Sequence, residues 1–176
     1  ANITASGGTG SIALYAGGTI SLAASPSAAT ISAAGTGNVS LVAGKDYDAS
    51  GSHTAGDSAA QILMGDGSLI RSEAGNMGLE APGTIQLSQV NADSDATGSV
   101  GNVTVTADSD GNATGAISEA LAGDAPATSP NVLGSLVTLH AGAGIGASGA
   151  IETKAATLVV TNTASTGAAA GAIEIN

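Results

Sequence analysis

Apolar and small polar positions alternate in short bursts along this chain. Each burst has one form: a Gly, a small polar residue, a branched aliphatic, another small residue, a second aliphatic. Gly10, Ile12 and Leu14 make one copy, Gly18, Ile20 and Leu22 a second, and Gly37, Val39 and Leu41 a third. Further copies are Gly83, Ile85 and Leu87, then Gly101, Val103 and Val105, then Gly171, Ile173 and Ile175. Degenerate versions surround Ile31, Ile62 to Met64, Val137 to Leu139, and Leu158 to Val160. Alternation over four to six residues is the period of a half-buried strand. Each run is bounded by Gly, Ser, Asn or Asp, the residues of turns. Frequent Gly, at ~1 kcal/mol per interior helical site, and the lack of an i, i+3, i+4 stripe exclude helices. The chain is expected to be all-β.

The spacing of the copies selects among β architectures. Strands begin roughly 7–11 residues apart, as from Ile12 to Ile20 and from Ile31 to Val39. Strong copies recur at roughly 18–23 residues, as from Ile20 to Val39, Val39 to Ile62 and Ile62 to Ile85. Two or three short strands per unit of this length fit one coil of a right-handed parallel β-helix. At ~22 residues per coil, residues 1–176 form one β-helical segment of about eight coils, roughly 40 Å long at the inter-strand spacing. The alternative is an antiparallel β-sandwich, whose strands recur at a similar interval.

Composition at first argues against any packed core. Ile, Leu and Val number 34 of 176 residues, with no Phe or Trp and only Tyr15 and Tyr47. Together with a net charge of −11, this approaches the composition of disordered chains. A solenoid resolves the conflict, because its core is a narrow column that small aliphatics fill and a Trp would overfill. Three polar stretches interrupt the rhythm, at residues 44–60, 91–100 and 118–134, the last holding Pro126 and Pro130. They read as insertions at coil corners, where added length costs little, leaving one side of the solenoid as its contact surface.

Charge narrows the partners. Lys45, Arg71 and Lys154 are the only basic residues, too few to neutralise a run of phosphates, so nucleic acid is excluded as a partner. No uninterrupted apolar stretch is long enough for a transmembrane helix, and no membrane insertion is expected. There is no Cys, so neither disulfides nor thiolate metal sites arise.

The carboxy-terminal third joins Val137 to Leu139, the Gly144-Ile145-Gly146 corner, the Ala156-Thr157-Leu158 strand and the Gly171, Ile173, Ile175 run. With residues 37–46, it resembles the repeat regions of filamentous-haemagglutinin-like large exoproteins and adhesins of Gram-negative bacteria. The resemblance implies a right-handed β-helical shaft, exported by two-partner (type V) secretion or a related route, that extends receptor-binding or toxic regions from the cell. It places the protein outside the cell or on the bacterial surface, without catalysis or cofactor. The amino-terminal secretion domain of that family, with its Asn-rich motifs, is not recognisable, nor is a carboxy-terminal effector or anchor. The segment is therefore expected to be interior to a longer protein. Its implied partners are neighbouring coils, other copies stacked end to end, or a receptor or glycan on another cell. Two other functions stay open: a filament subunit assembling end to end, and a carbohydrate-binding or carbohydrate-cleaving β-helix.

Candidate chemistry is sparse. Asp108, Asp110, Asn112 and Glu119 occupy positions 1, 3, 5 and 12 of a calcium-loop pattern, but Ala113 stands where that loop needs Gly. Asp46 with Asp48 and Asp93 with Asp95 are weaker pairs of the same kind, and all are ordinary turn residues. Arg71 with Glu73 and Asp66, or Lys45 with Asp46 and Asp48, could sit on adjacent corners as base–acid groupings for a lyase-like site, but no aromatic platform for a sugar ring accompanies them. His53 falls in a loop and His140 follows a strand, neither near a Ser–Asp pair. Gly8 to Gly10 and Gly142 to Gly146 lack the Lys and helix of a phosphate loop and read as corners. Thr104 and Thr106 make a single outward Thr pair. No residue is assigned a catalytic, cofactor or metal role.

Overall fold

The computed structural model describes residues 2–24, 26–47, 53–96, 98, 100–120, 130–146, 149–163 and 173–176. Every regular element in them is a strand, and almost every pairing is parallel. Parallel ladders between strands far apart in sequence require the chain to wind repeatedly past the same positions. The fold is all-β and solenoid-like. An antiparallel sandwich does not fit it.

Three strand sets recur in the same order. The first holds β1 (Asn2–Ala5), β4 (Thr30–Ala33), β9 (Leu69–Ser72) and β12 (Gln89–Asn91). The second holds β2 (Ile12–Ala16), β5 (Val39–Ala43), β10 (Met77–Ala81) and β13 (Val103–Ala107). The third holds β3 (Ile20–Leu22), β8 (Ile62–Met64), β11 (Ile85–Leu87) and β14 (Ile117–Glu119). Two long strands, β15 (Val132–Ala141) and β16 (Thr153–Asn162), run through both the first and second sets without a break. They weld those two ladders into one sheet of ten strands. The exception to parallel pairing is a hairpin of β6 (Lys45–Tyr47) and β7 (His53–Ala55).

Register aligns like with like. On the third face Ile20, Ile62, Ile85, Ile117, Ile145 and Ile173 stand one above the next. The second face carries the columns Ile12, Val39, Met77, Val103, Val137, Leu158 and Leu14, Leu41, Leu79, Val105, Leu139, Val160. The first contributes Ile3, Ile31, Ile70, Val90 and Val132. Away from the two ends these side chains are buried, so the aliphatic half of each alternating strand forms one continuous core. Stacked aliphatic side chains fill the column without an aromatic.

The ladders carry at most six rungs among the described residues, where even spacing divides the chain into about eight. Part of the difference lies in the β6–β7 hairpin, which pairs with itself and adds no rung. Thr30 lies beside Leu69, 39 residues on, because the hairpin intervenes, whereas Leu69 lies beside Gln89, 20 residues on.

The expected insertions also change shape and position. Stretch 44–60 contains the hairpin. Asn91 belongs to β12, Ser118 and Glu119 to β14, and Val132 to Gly134 to β15, so the other two are shorter than expected. Residues 48–52, 97, 99 and 121–129 lie outside the described residues. The stretches do not leave one side. The hairpin follows the second strand set, residues 92–102 follow the first, and 120–131 follow the third, so each departs from a different corner.

Candidate functional site

The corner between the first and second faces is built from Gly and Asn. Asn38 Oδ1 accepts the backbone N–H of Asn76, Asn76 Oδ1 that of Asn102, and Asn102 Oδ1 that of Leu136, at 2.8, 2.9 and 3.2 Å. Ser11 Oγ begins the series by accepting from Asn38 N at 3.0 Å. Beside each Asn a Gly lets successive backbones touch. A Cβ on Gly75 would overlap the carbonyl oxygen of Gly37, and one on Gly101 that of Gly75. The sequence held the signal as Gly37-Asn38, Gly75-Asn76 and Gly101-Asn102, each preceding a strand. Here the Asn side chains join coils as well as facing solvent.

The corner between the second and third faces carries the best-defined outgrowth. Gly44 takes a φ of +74°, which glycine adopts without strain, and turns the chain out of β5 into the hairpin. Gly56 N returns to Gly44 O at 2.8 Å, and Asp57 N bonds Gly17 O at 2.8 Å, so the excursion closes on the corner it left. Lys45 Nζ donates to Glu80 Oε1 at 2.6 Å, tying the hairpin base to β10. Both side chains are over one-third exposed, so this pair contributes no more than about 1 kcal/mol. On the outer surface alongside, Tyr15, Val42 and Glu80 sit on adjacent strands. Tyr15 is 37% exposed, while Val42 is only 7% exposed despite its outward position. A groove of about 180 Å³ runs between Gly44, Lys45, Gly56, Pro82, Ser109 and Asp110. Tyr47 and His53 are opposite each other in the hairpin register. Both tyrosines and one of the three basic residues thus gather around one corner.

The turn after β13 uses the calcium-loop residues for its own backbone. Asp108 is buried, with a φ of +65°, and its Oδ1 accepts from Ala113 N at 2.8 Å. Asn112 Nδ2 donates to Asp110 Oδ2 at 2.8 Å, and Asn112 Oδ1 accepts from Thr114 N at 3.0 Å. Ala113 has a φ of +64°, so it adopts the left-handed geometry for which that pattern wants Gly. Glu119 lies away from the turn, buried on β14 in register with Leu87. Together with Asp66, Ser88 and Asn131 it lines a narrow polar cleft. Among the described residues, no three His, Asp or Glu side chains converge in a metal-binding arrangement.

The remaining candidates are dispersed. Arg71 Nε donates to Ser32 Oγ at 3.1 Å, and Glu73 accepts the backbone N–H of Gly35, so each separately ties its coil to the preceding one. Asp48 lies outside the described residues. His140 sits inside β15 rather than after a strand, in register with Thr106 and Thr161. Thr104 is flanked by Thr138 on the next coil, but Thr106 is flanked by His140. Gly142 to Gly146 form a turn, with Gly144 and Gly146 at φ +123° and +77°. No helix is long and apolar enough to cross a membrane among the described residues.

The fold and corners define a parallel β-solenoid-like protein. No protein-family model, no curated protein and no solved structure matches the chain.

Proposed function

We propose that this chain is a structural shaft segment of a bacterial surface or secreted adhesin. It holds contact surfaces at a fixed distance and orientation. The observation that carries this reading is the set of unbroken parallel ladders over one aliphatic column, with length spent at corners instead of on a cavity. Each coil contacts only its neighbours, so stiffness accumulates along the stack. Parallel crossovers within one sheet are right-handed in about 98% of cases, which favours a right-handed β-helix. Six rungs at ~4.8 Å make a rod roughly 25–30 Å long. The net charge of −11 keeps the sides apart from one another.

Contact with another surface falls to the outgrowths, of which the hairpin corner with Tyr15, Lys45 and Glu80 is the best formed. The resemblance to filamentous-haemagglutinin-like repeats supports an extracellular location and a receptor or glycan as partner.

The test is adhesion of beads coated with the purified chain to host-derived and bacterial cells. The comparison is a variant lacking residues 45–55 whose circular dichroism is unchanged. Adhesion of the parent, reduced at least several-fold by the deletion, is the expected result. No adhesion by the folded parent, or equal adhesion by both, overturns the reading.

A further inference from the structure

The corner between the first and second faces places equivalent residues on successive coils, and they differ in a way the fold does not require. The equivalent triplets leading onto the second face are Ser11-Ile12-Ala13, Asn38-Val39-Ser40, Asn76-Met77-Gly78, Asn102-Val103-Thr104 and Leu136-Val137-Thr138. In each, the middle residue is buried in the core and the outer two flank it on the outside. Asn38, Asn76 and Asn102 make the same link to the next coil through Oδ1. Asn76 does so with Gly78 two residues on, so the link needs no hydroxyl. Asn38 and Asn102 nevertheless have one, on Ser40 and Thr104, carried on the same side of the strand. Leu136 has the hydroxyl of Thr138 but no amide.

Asn, any residue but Pro, then Ser or Thr is the acceptor pattern for attachment of a sugar to the Asn side-chain nitrogen. The chain satisfies it at Asn2, Asn38, Asn102 and Asn112. The structure separates these. Asn112 is engaged through both ends of its amide, Nδ2 donating to Asp110 and Oδ1 accepting from Thr114 N. The Thr114 hydroxyl also turns back onto Oδ1, so amide and hydroxyl are both used inside the turn. Asn2 stands on β1 next to residue 1, which lies outside the described residues. Asn38 and Asn102 are exposed and are held through Oδ1. A sugar on Nδ2 leaves Oδ1 as an acceptor, so modification there keeps the corner links intact.

We propose that Asn38 and Asn102 are N-glycosylation sites, modified by a transferase that reads the triplet and uses a sugar activated as its diphosphate ester. Nδ2 attacks the anomeric carbon and a C–N bond forms. The bond from that carbon to the diphosphate oxygen breaks, the diphosphate leaves with the electron pair, and one Nδ2 proton passes to a base of the transferase. The two sites are two rungs apart on one edge, roughly 10 Å at the inter-strand spacing, with bare Asn76 between them. The proposal needs only the exposed corner, so its failure leaves the adhesin reading standing, and the reverse holds too.

Peptide mass spectrometry of the chain purified from the cells that produce it is the direct test. Sugar on Asn38 and Asn102, with Asn76 bare, is the expected result. Both sites bare, or Asn76 modified to the same extent, overturns it. Thr104→Ala is expected to reduce modification of Asn102 several-fold and spare Asn38, whereas Thr104→Ser retains both. The melting temperature of each unglycosylated variant, matched to that of the parent, separates loss of the triplet from loss of the fold. Gly78→Thr completes a triplet at Asn76, where a Cβ meets nothing within 4 Å, and is expected to gain a third sugar. Unchanged modification of Asn102 in Thr104→Ala overturns the proposal. Unmodified chain incubated with radiolabelled UDP-hexoses and either the soluble or the membrane fraction of the same cells separates two donors. Labelling of Asn38 and Asn102 by the soluble fraction identifies a nucleotide sugar, and labelling by membranes alone identifies a lipid-linked one. Labelling by neither fraction overturns the assignment.

Discussion

Gly75 and Gly78 are three residues apart and have opposite tolerances. A Cβ at Gly75 collides with the backbone of the coil below, where nothing flexible can give way, whereas one at Gly78 on β10 meets nothing within 4 Å. Gly75→Ala is expected to cost about 2–3 kcal/mol. That lowers the melting temperature by roughly 5–10 °C for a chain of this size. Gly78→Ala is expected to be neutral or slightly stabilising, since it restricts the unfolded chain without a clash. Thermal denaturation of the two variants checks both. Asn76 is subject to a subtler test, because its Oδ1 holds Asn102 N while its own N–H is held by Asn38. Asn76→Ala leaves a solvent-accessible N–H without its acceptor and is expected to cost about 0.5–1.5 kcal/mol. Asn76→Asp, which keeps an acceptor oxygen, recovers most of this in the same measurement.

At the scale of elements, the strands with a clean Gly-x-aliphatic-x-aliphatic pattern were legible in the sequence. β3 and β11 coincide with their copies, and β2, β5 and β13 enclose theirs. β10 was not legible, because Met77 and Gly78 replace the usual aliphatic and polar residues and only the ladder on either side holds the strand. β12 is three residues long, too short for alternation to show. The hairpin was hidden because Lys45 to Ala55 carries no aliphatic alternation and is stabilised by closure at Gly44 and Gly56. That Tyr15 shares this corner with Lys45 could not be read from sequence either, since the pairing of β2 with β5 sets Tyr15 beside Val42, three residues before Lys45. Because the hairpin leaves and re-enters at atoms already hydrogen-bonded, excising residues 45–55 and joining Gly44 to Gly56 should change stability by less than about 1 kcal/mol. Chemical denaturation measures it, and a loss of several kcal/mol would show the hairpin to be part of the core.

For the whole molecule, protection should follow position in the stack. Leu41, Leu79, Val105 and Leu139 are at most 1% exposed, with a strand on either side, whereas among the described strands β1 ladders with β4 alone and β16 with β15 alone. Amide hydrogen exchange is expected to be slowest in β10, β11 and β13 and fastest in β1 and β16, since local opening costs least where fewest partners are lost. Uniform protection across all strands would mean that the stack opens as one unit.

The Asn corner has a direction. In every link the side-chain oxygen belongs to the earlier coil and the amide hydrogen to the later one, from Ser11 through Asn38 and Asn76 to Asn102. A chain emerging amino-terminus first from a ribosome therefore finishes each turn with its acceptor already set out for the next. Growth from that end lays new backbone onto a prepared surface. Growth from the opposite end presents donors that must wait for side chains not yet in place. The corner thus gives vectorial folding a preferred sense, and it does so with a side chain of two polar atoms.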